Sequence, residues 1–327
     1  MKTNFTKTIA ASLASFFLVS STLASVIVSP ASCNLDISAD KASNAFSPSF
    51  TSMDDIIIME RKANDFTNSF GKPQTLVLTA PFGWTFKPGS GMIALNNTKD
   101  LSAVSMKVSW TSITITYTVN ASVSIDALVI SGVQVQATDG ALINTVGSIY
   151  RSSANPGTAM IEGIINTSNE NGAGGTSFCL LSQTAGIATK LAFSTKPVAT
   201  TAGTAFEQQP VIVTEDQFGN PTSKGLNEIQ NVKIKLSSGT GSLSGTAVLN
   251  IGTAGGNGKV EFSDLQLSEV GAKKLIATSG SLSFAVTNEF TVTEEETGTK
   301  ITSENSDDYD PDAVCLNSNN ANIVLAI

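Results

Sequence analysis

The stretch VSMKVSWTSITITYTV, residues 104–119, decides the fold class. Its first half sets Val104, Met106, Val108 and Trp110 against Ser105, Lys107 and Ser109. After Thr111 and Ser112, its second half sets Ile113, Ile115, Tyr117 and Val119 against three threonines. Apolar residues at every second position mark strands with one buried face, because successive side chains of an extended chain point to opposite sides. Two such runs separated by two residues predict an antiparallel hairpin half buried in a sandwich.

The same period continues on both sides. Before the hairpin, TLVLTAPFGWTF (75–86) supplies a strand, a proline turn and the alternation of Phe82, Trp84 and Phe86. After it, ALVISGVQVQATDG (127–140) reads as a strand broken or bulged at Gly132, and GSIYRSSANPGTAMIEGI (147–164) places a turn between two short strands. The segment NENGAGGTSFCLLSQTAG (169–186) reads as a boundary too rich in Gly, Ser and Asn to be core. A second rhythm starts at KLAFSTKPVATTAGTAF and runs through VKIKL (232–236), GKVEFSDLQLSEVG (258–271), KKLIATS (273–279) and LSFAVTNEFTVT (282–293). About seven strands in about 105 residues is the size of one immunoglobulin-like domain. The expected class is therefore all-β, with two tandem β-sandwich domains at 33–186 and 187–293, the second immunoglobulin-like.

The ends have different chemistry. MKTNFTKTIAASLASFFLVSSTLASVIVSPASC opens with Lys2 and Lys7, an apolar run around Phe16–Val19, and then small residues, so residues 1–32 read as a secretory signal peptide. Cleavage after Ala24 and cleavage after Ala31 both satisfy the small-residue rule. A third reading makes Cys33 the first residue of a lipoprotein, although Pro30 stands where the bacterial lipobox usually carries Leu. No second long apolar run predicts a membrane span. Export implies an extracellular or outer-surface location.

The formal net charge is −8, yet residues 294–312 carry eight acids against one lysine, which leaves the rest of the chain close to neutral. No basic stripe suggests nucleic acid. There is no histidine, which removes the commonest general base and metal ligand together. Residues 294–327 read as an acidic linker followed by DAVCLNSNNANIVLAI, the start of a further module whose strand Ile323–Ile327 needs partners.

Five features could carry chemistry. In VIVTEDQFGNPTS (211–223), Glu215, Asp216 and Asn220 could hold calcium, but adjacent acids on an extended chain point apart. The better reading is a turn, with Asp216 bonding amides two residues on, Gly219 at positive φ, and Pro221 ending the pairing. DDYDPD (307–312) is the denser acidic cluster, yet it lacks the glycine and spaced Glu of a calcium loop and reads as solvated linker. GSGMIA (89–94) fits a dinucleotide fingerprint in letters alone, with no helix to follow. Trp84, Trp110, Phe82, Phe86 and Tyr117 read mainly as sandwich core, with Trp84 as the possible sugar-stacking contact. Cys33 and Cys179 bracket the first domain and form a possible disulfide, leaving Cys315 over.

The second half resembles a known family. DQFGNP, GSLSG and FSDLQLSEVGAKKLIATS, in that order within residues 187–293, resemble the bacterial immunoglobulin-like repeats of large surface and secreted proteins, particularly of the Bacteroidetes. WTSITITYTV, IDALVISGVQVQA and GTAMIEG look like a module that often precedes such repeats. The resemblance implies a structural or adhesive role with no catalytic residues to carry over. The expectation is thus a non-enzymatic spacer or interaction module with cell-surface protein or glycan partners, no cofactor and no metal. A glycan-binding protein using the aromatics is the alternative, and a two-carboxylate hydrolase a distant third.

Overall fold

The computed structural model describes residues 26–29, 34–67, 70–96 and 100–295. The protein is all-β, with one three-residue 3-10 turn at Ala39–Lys41 among the described residues. The described residues bury two separate apolar cores, and no strand pairing crosses between them. DDYDPD, Cys33, Cys315 and the strand-like IVLAI lie outside the described residues.

The first core fills a sandwich. Leu101–Val108 and Ser112–Val119 form the expected antiparallel hairpin, with Ile113 opposite Val108, and Pro73–Thr79 pairs on the far side of Ser112–Val119. The ladder slips at Ala103, whose positive φ of 47° marks a bulge where the period-2 pattern breaks. A second sheet carries Val26–Ser29, Ile56–Glu60, Ala127–Ser131 and Met92–Asn96 in that order. Ile56, Ile58, Leu128 and Ile130 from this sheet meet Leu76, Leu78, Ile113, Ile115 and Tyr117 from the other in one core.

Val26–Ser29 falls inside the segment read as leader. Cleavage after Ala31 would strip this strand from Ile56–Glu60, whereas cleavage after Ala24 keeps it.

One expectation fails here. Residues 178–184 are not a loose boundary: Phe178, Cys179, Leu181 and Gln183 are buried, and Cys179–Thr184 is the middle strand between Val146–Ile149 and Asn34–Ser38. Composition misled because the Gly-rich residues 169–175 precede a strand with its own alternation, Cys179, Leu181 and Gln183 inward. The pairing with Asn34–Ser38 is parallel, so both strands run the same way toward the second sandwich.

The second core has the immunoglobulin-like pattern. Lys190–Thr195 pairs with Val211–Glu215, which pairs with Lys259–Glu261 in one layer. In the other, Val248–Asn250 pairs with Asn231–Ser238, which pairs with Gly271–Ser279, and Phe290–Thr293 closes on that strand. Thr200–Thr201 lies parallel to Phe290–Thr293. Leu282–Val286 pairs with Gly271–Ser279 and meets Lys190–Thr195 at the single parallel pair Lys190–Ser283, so the two groups of strands join along one side into a continuous sheet wrapped around the core, with the first strand shared between them, as in an immunoglobulin-like sandwich.

Candidate functional site at the domain joint

The densest polar arrangement lies where the two sandwiches meet, and EDQFGNP builds it. Val211–Glu215 delivers Asp216, which is 0% exposed, to the start of a tight turn. Asp216 Oδ1 accepts from the amides of Phe218 (2.9 Å) and Asn220 (3.0 Å). Its Oδ2 accepts from the Gly186 amide (2.8 Å) and from Asn220 Nδ2 (2.8 Å). Gly219 takes φ +93°, and Pro221 makes a single bridge to Glu215. The turn reading therefore holds. Four donors fill the acceptor capacity of the carboxylate, which leaves no lone pair for a cation.

The loop does more than turn the chain, because its side chains reach the first sandwich. Asn220 Nδ2 also donates to the Gly140 carbonyl (2.9 Å). Phe218 packs against the first core, so close to Gly140 that a Cβ there would sit 2.1 Å from the ring. Gln217 uses both ends of its amide: Nε2 donates to Asp40 Oδ1 (3.1 Å), and Oε1 accepts from the Phe46 amide (2.9 Å). Asp40 Oδ2 accepts from the Ile187 amide (2.8 Å), and Lys224 Nζ donates to Thr184 Oγ1 and the Ala185 carbonyl, both at 2.9 Å.

The first sandwich stiffens its side of the contact. Asn44 Oδ1 accepts from the Gly140 amide (2.9 Å) while its Nδ2 donates to Asp139 Oδ1 (2.8 Å). The Ala141 amide and Asn44 together hold the Asp139 carboxyl below its ordinary range. Asp40, Asn44, Gly140 and Gln217 had no signal of their own in the sequence; only the linear motif 215–221 pointed to this place.

The other candidate residues fall elsewhere. Trp84 is 3% exposed in the first core, its Nε1 without a partner, so it cannot stack on a sugar; this corrects the expectation for that residue. Trp110 and Phe82 do the reverse, at 58% and 63% exposure. The strand stops at Val108, and the Ser109–Ser112 turn, closed by Ser109 N to Ser112 O (2.8 Å), swings Trp110 outward. There it meets the Phe50 ring at 6.3 Å, with Lys87 Nζ 6.0 Å from the same ring. Cys179 is buried and disulfide-bonded. GSGMIA runs into the strand Met92–Asn96 rather than a helix.

Four acids are buried in the first sandwich among the described residues, Glu60, Asp65, Asp100 and Asp126. Glu60 accepts from the amides of Phe66 (2.8 Å) and Asp126 (2.9 Å), and burial foremost pushes its carboxyl up, with the charges of Asp126 and Asp65 adding to it. Among the described residues no group of three acids is placed to hold a metal ion, and no helix is long and apolar enough to cross a membrane. Of two shallow hollows, one of about 490 Å³ beside Gln230 and Gly280 is lined without acid or base. The other, about 480 Å³, has Glu162 as its one carboxylate, beside an Arg151 already donating to the carbonyls of Pro156 and Ala159.

No family model and no curated protein matches the chain. Two solved structures are similar over most of its length. The D00-D0 domain of intimin is 11% identical, with 82% of this chain and 100% of that one covered and a TM-score of 0.29. The Yersinia pseudotuberculosis adhesin InvE is 10% identical, with 82% and 58% covered and a TM-score of 0.22. At such scores the likeness decides nothing, and the fold assignment rests on the strand pairings.

Proposed function

We propose that this chain is a non-enzymatic spacer of a bacterial surface or secreted protein, in which two sandwiches at 33–186 and 187–293 are held at a fixed angle. The joint carries the reading. A flexible linker would leave residues 184–190 solvated, whereas here Gly186 and Ile187 donate into buried or shared carboxylates and Phe218 is packed on the neighbouring core. Domains joined by a small polar interface move by default, so such a contact serves stiffness. Export as an extracellular protein is supported by the leader and the oxidised Cys179. Leader cleavage after Ala24 fits the paired strand Val26–Ser29.

Spin labels on the two sandwiches test the reading. The wild-type protein should give a narrow distance distribution, broadened by Asn220→Ala and displaced by Gly140→Ala, which drives a methyl into the Phe218 ring. A broad wild-type distribution would end the spacer proposal.

Exposed Trp110 supports a second reading, a glycan contact at Trp110 and Phe50 in place of Trp84. Glycan-array binding lost in Trp110→Ala, with folding intact, is the result it requires.

A further inference from the structure

Arg151 is buried in the first sandwich, 5% exposed, and a loop is built around it. The chain leaves Val146–Ile149, passes Arg151 and returns through residues 152–159 along the strand Pro73–Thr79. Thr75 and Thr158 exchange amide-to-hydroxyl bonds (2.9 and 3.0 Å), and the Ala159 amide donates to the Thr75 carbonyl (2.8 Å). Gly157, at φ +78°, lies so close to the strand that a Cβ would sit 2.2 Å from the Thr75 oxygen. The clamped loop fixes the guanidinium: Nε donates to the Pro156 carbonyl (2.9 Å) and Nη2 to that of Ala159.

The loop supplies no counter-charge. The ion pairs among the described residues, Lys190–Glu215 and Lys259–Glu261, both lie in the second sandwich. Glu162 lines the same hollow of about 480 Å³ as Arg151 without pairing to it. Burial works foremost against the Arg151 charge, and the group that favours it is the buried Tyr117 phenol rather than a carboxylate. Two bonds to carbonyls engage Nε and Nη2 and leave Nη1 without a protein acceptor, on a residue that lines the hollow. The buried Lys273 of the second sandwich is different, because the Thr240 and Val270 carbonyls and the Thr240 hydroxyl occupy its three donors. A desolvated charge without a counter-ion is costly, and a planar carboxylate is the group that the flat guanidinium fork matches.

We infer that the hollow at Arg151 binds an acidic sugar through its carboxylate. The rest of the lining selects that class. Glu162, beside the guanidinium, repels a second negative charge, which disfavours phosphate groups and polyacidic peptides, yet it can accept from hydroxyl groups. Asn166 adds an exposed amide, and exposed Met160 adds an apolar edge. A uronic acid brings one carboxylate, several hydroxyl donors and an apolar C–H face, and so meets all three. The site needs only the first sandwich, and it depends neither on the spacer reading nor on the contact at Trp110.

The chain holds two arginines, so the Nε–H spectrum of the full protein contains a probe at Arg151 and a control at exposed Arg61. Titration with methyl glucuronoside should shift the Arg151 signal and leave Arg61 in place, and the uncharged methyl glucoside should bind about tenfold more weakly or worse. Glu162→Ala and Asn166→Ala, both at exposed positions, should each weaken the glucuronoside by about three- to tenfold. Arg151→Lys, which keeps the charge and loses the fork, should abolish the preference for the charged sugar; if it fails to fold, the two exposed variants carry the test. An unmoved Arg151 signal overturns the inference. So does acetate or tetraglutamate binding as tightly as the glucuronoside, since a bare carboxylate or an acidic peptide would then suffice, and so does a Glu162→Ala variant that binds the sugar more tightly. Loss of the shift in Trp110→Ala would move the sugar to the other contact and overturn the assignment to Arg151. A broad spin-label distribution beside an intact Arg151 shift would end the spacer reading alone.

Discussion

The two sandwiches share a strand class and differ in how each secures its ends. In the first, parallel strands adjoin at an oxidised Cys179, and the core draws on a long roll of apolar residues that includes Trp84, Phe86, Tyr117 and Phe178. In the second, the corresponding parallel contact, Thr200–Thr201 with Phe290–Thr293, is two residue pairs long and held by hydrogen bonds alone. The buried charges also differ. The first sandwich buries the acids Glu60, Asp65, Asp100 and Asp126 with one cation, Arg151, while the second buries Asp216 at the joint and Lys273, whose Nζ donates to the carbonyls of Thr240 (2.7 Å) and Val270 (2.9 Å). A small domain can hold its termini covalently or by ladder hydrogen bonds, and the choice sets which one yields first.

Four measurements would sharpen or break that contrast. The largest effect should come from reducing the disulfide at Cys179: with Cys33 as its partner, as the sequence reading expects, it closes a loop of roughly 145 residues, and the first sandwich should lose about 4–5 kcal/mol of stability by the chain-entropy argument. In calorimetry its transition should fall while that of the second stays in place; a shift of the second alone would reverse the assignment.

Next comes Asp216→Ala, which strands the amides of Gly186, Phe218 and Asn220 in a buried site. The expected cost is about 3 kcal/mol, falling on the second sandwich, with a melting temperature lower by roughly 12–20 °C. An unchanged melting temperature would mean that the loop is dispensable to the fold.

A smaller effect is electrostatic and belongs to the first sandwich. Because burial raises the Glu60 carboxyl above its ordinary 4.5, the folded state binds a proton more readily than the unfolded one. Stability from this group is full below pH 4.5 and falls as pH rises through the raised value. Asp65 and Asp126 face the same site and strengthen the trend. Glu60→Gln should flatten the pH dependence of the first transition and leave the second untouched; an unaltered slope would assign the titration to another group.

The smallest is an expected null. Calcium or a chelator should move either transition by less than about 2 °C, since the Asp216 lone pairs are occupied by protein donors and an ion stabilises only what it binds. A rise of ten degrees would reveal a site outside the residues described.

Much of this was legible in the sequence wherever a local rule governs. The hairpin at 101–119 followed from period 2, because one face of each strand must be buried. The EDQFGNP turn followed from Asp, Gly and Pro each setting backbone geometry within four residues. Local rules failed where a side chain's neighbour is distant in the chain. Trp84 and Trp110 are equally aromatic and both sit on alternating runs, yet one is core and the other surface, because a strand end at Val108 redirects Trp110. Residues 178–184 looked like linker because composition was averaged over a Gly-rich neighbour, while burial is set by the strands on either side.

The sequence alone therefore determined that the chain is all-β, where its strands alternate, and that 215–221 must turn, since each of these depends on residues within a few positions of one another. Only the tertiary structure decided that the turn is also a joint. Gly140, Asp40 and Phe46 lie on average more than a hundred residues from Gln217, Phe218 and Asn220, and no period or spacing encodes a contact of that range. It exists because two separate cores present those surfaces to each other, with Gly140 lacking the one methyl that would keep the Phe218 ring out.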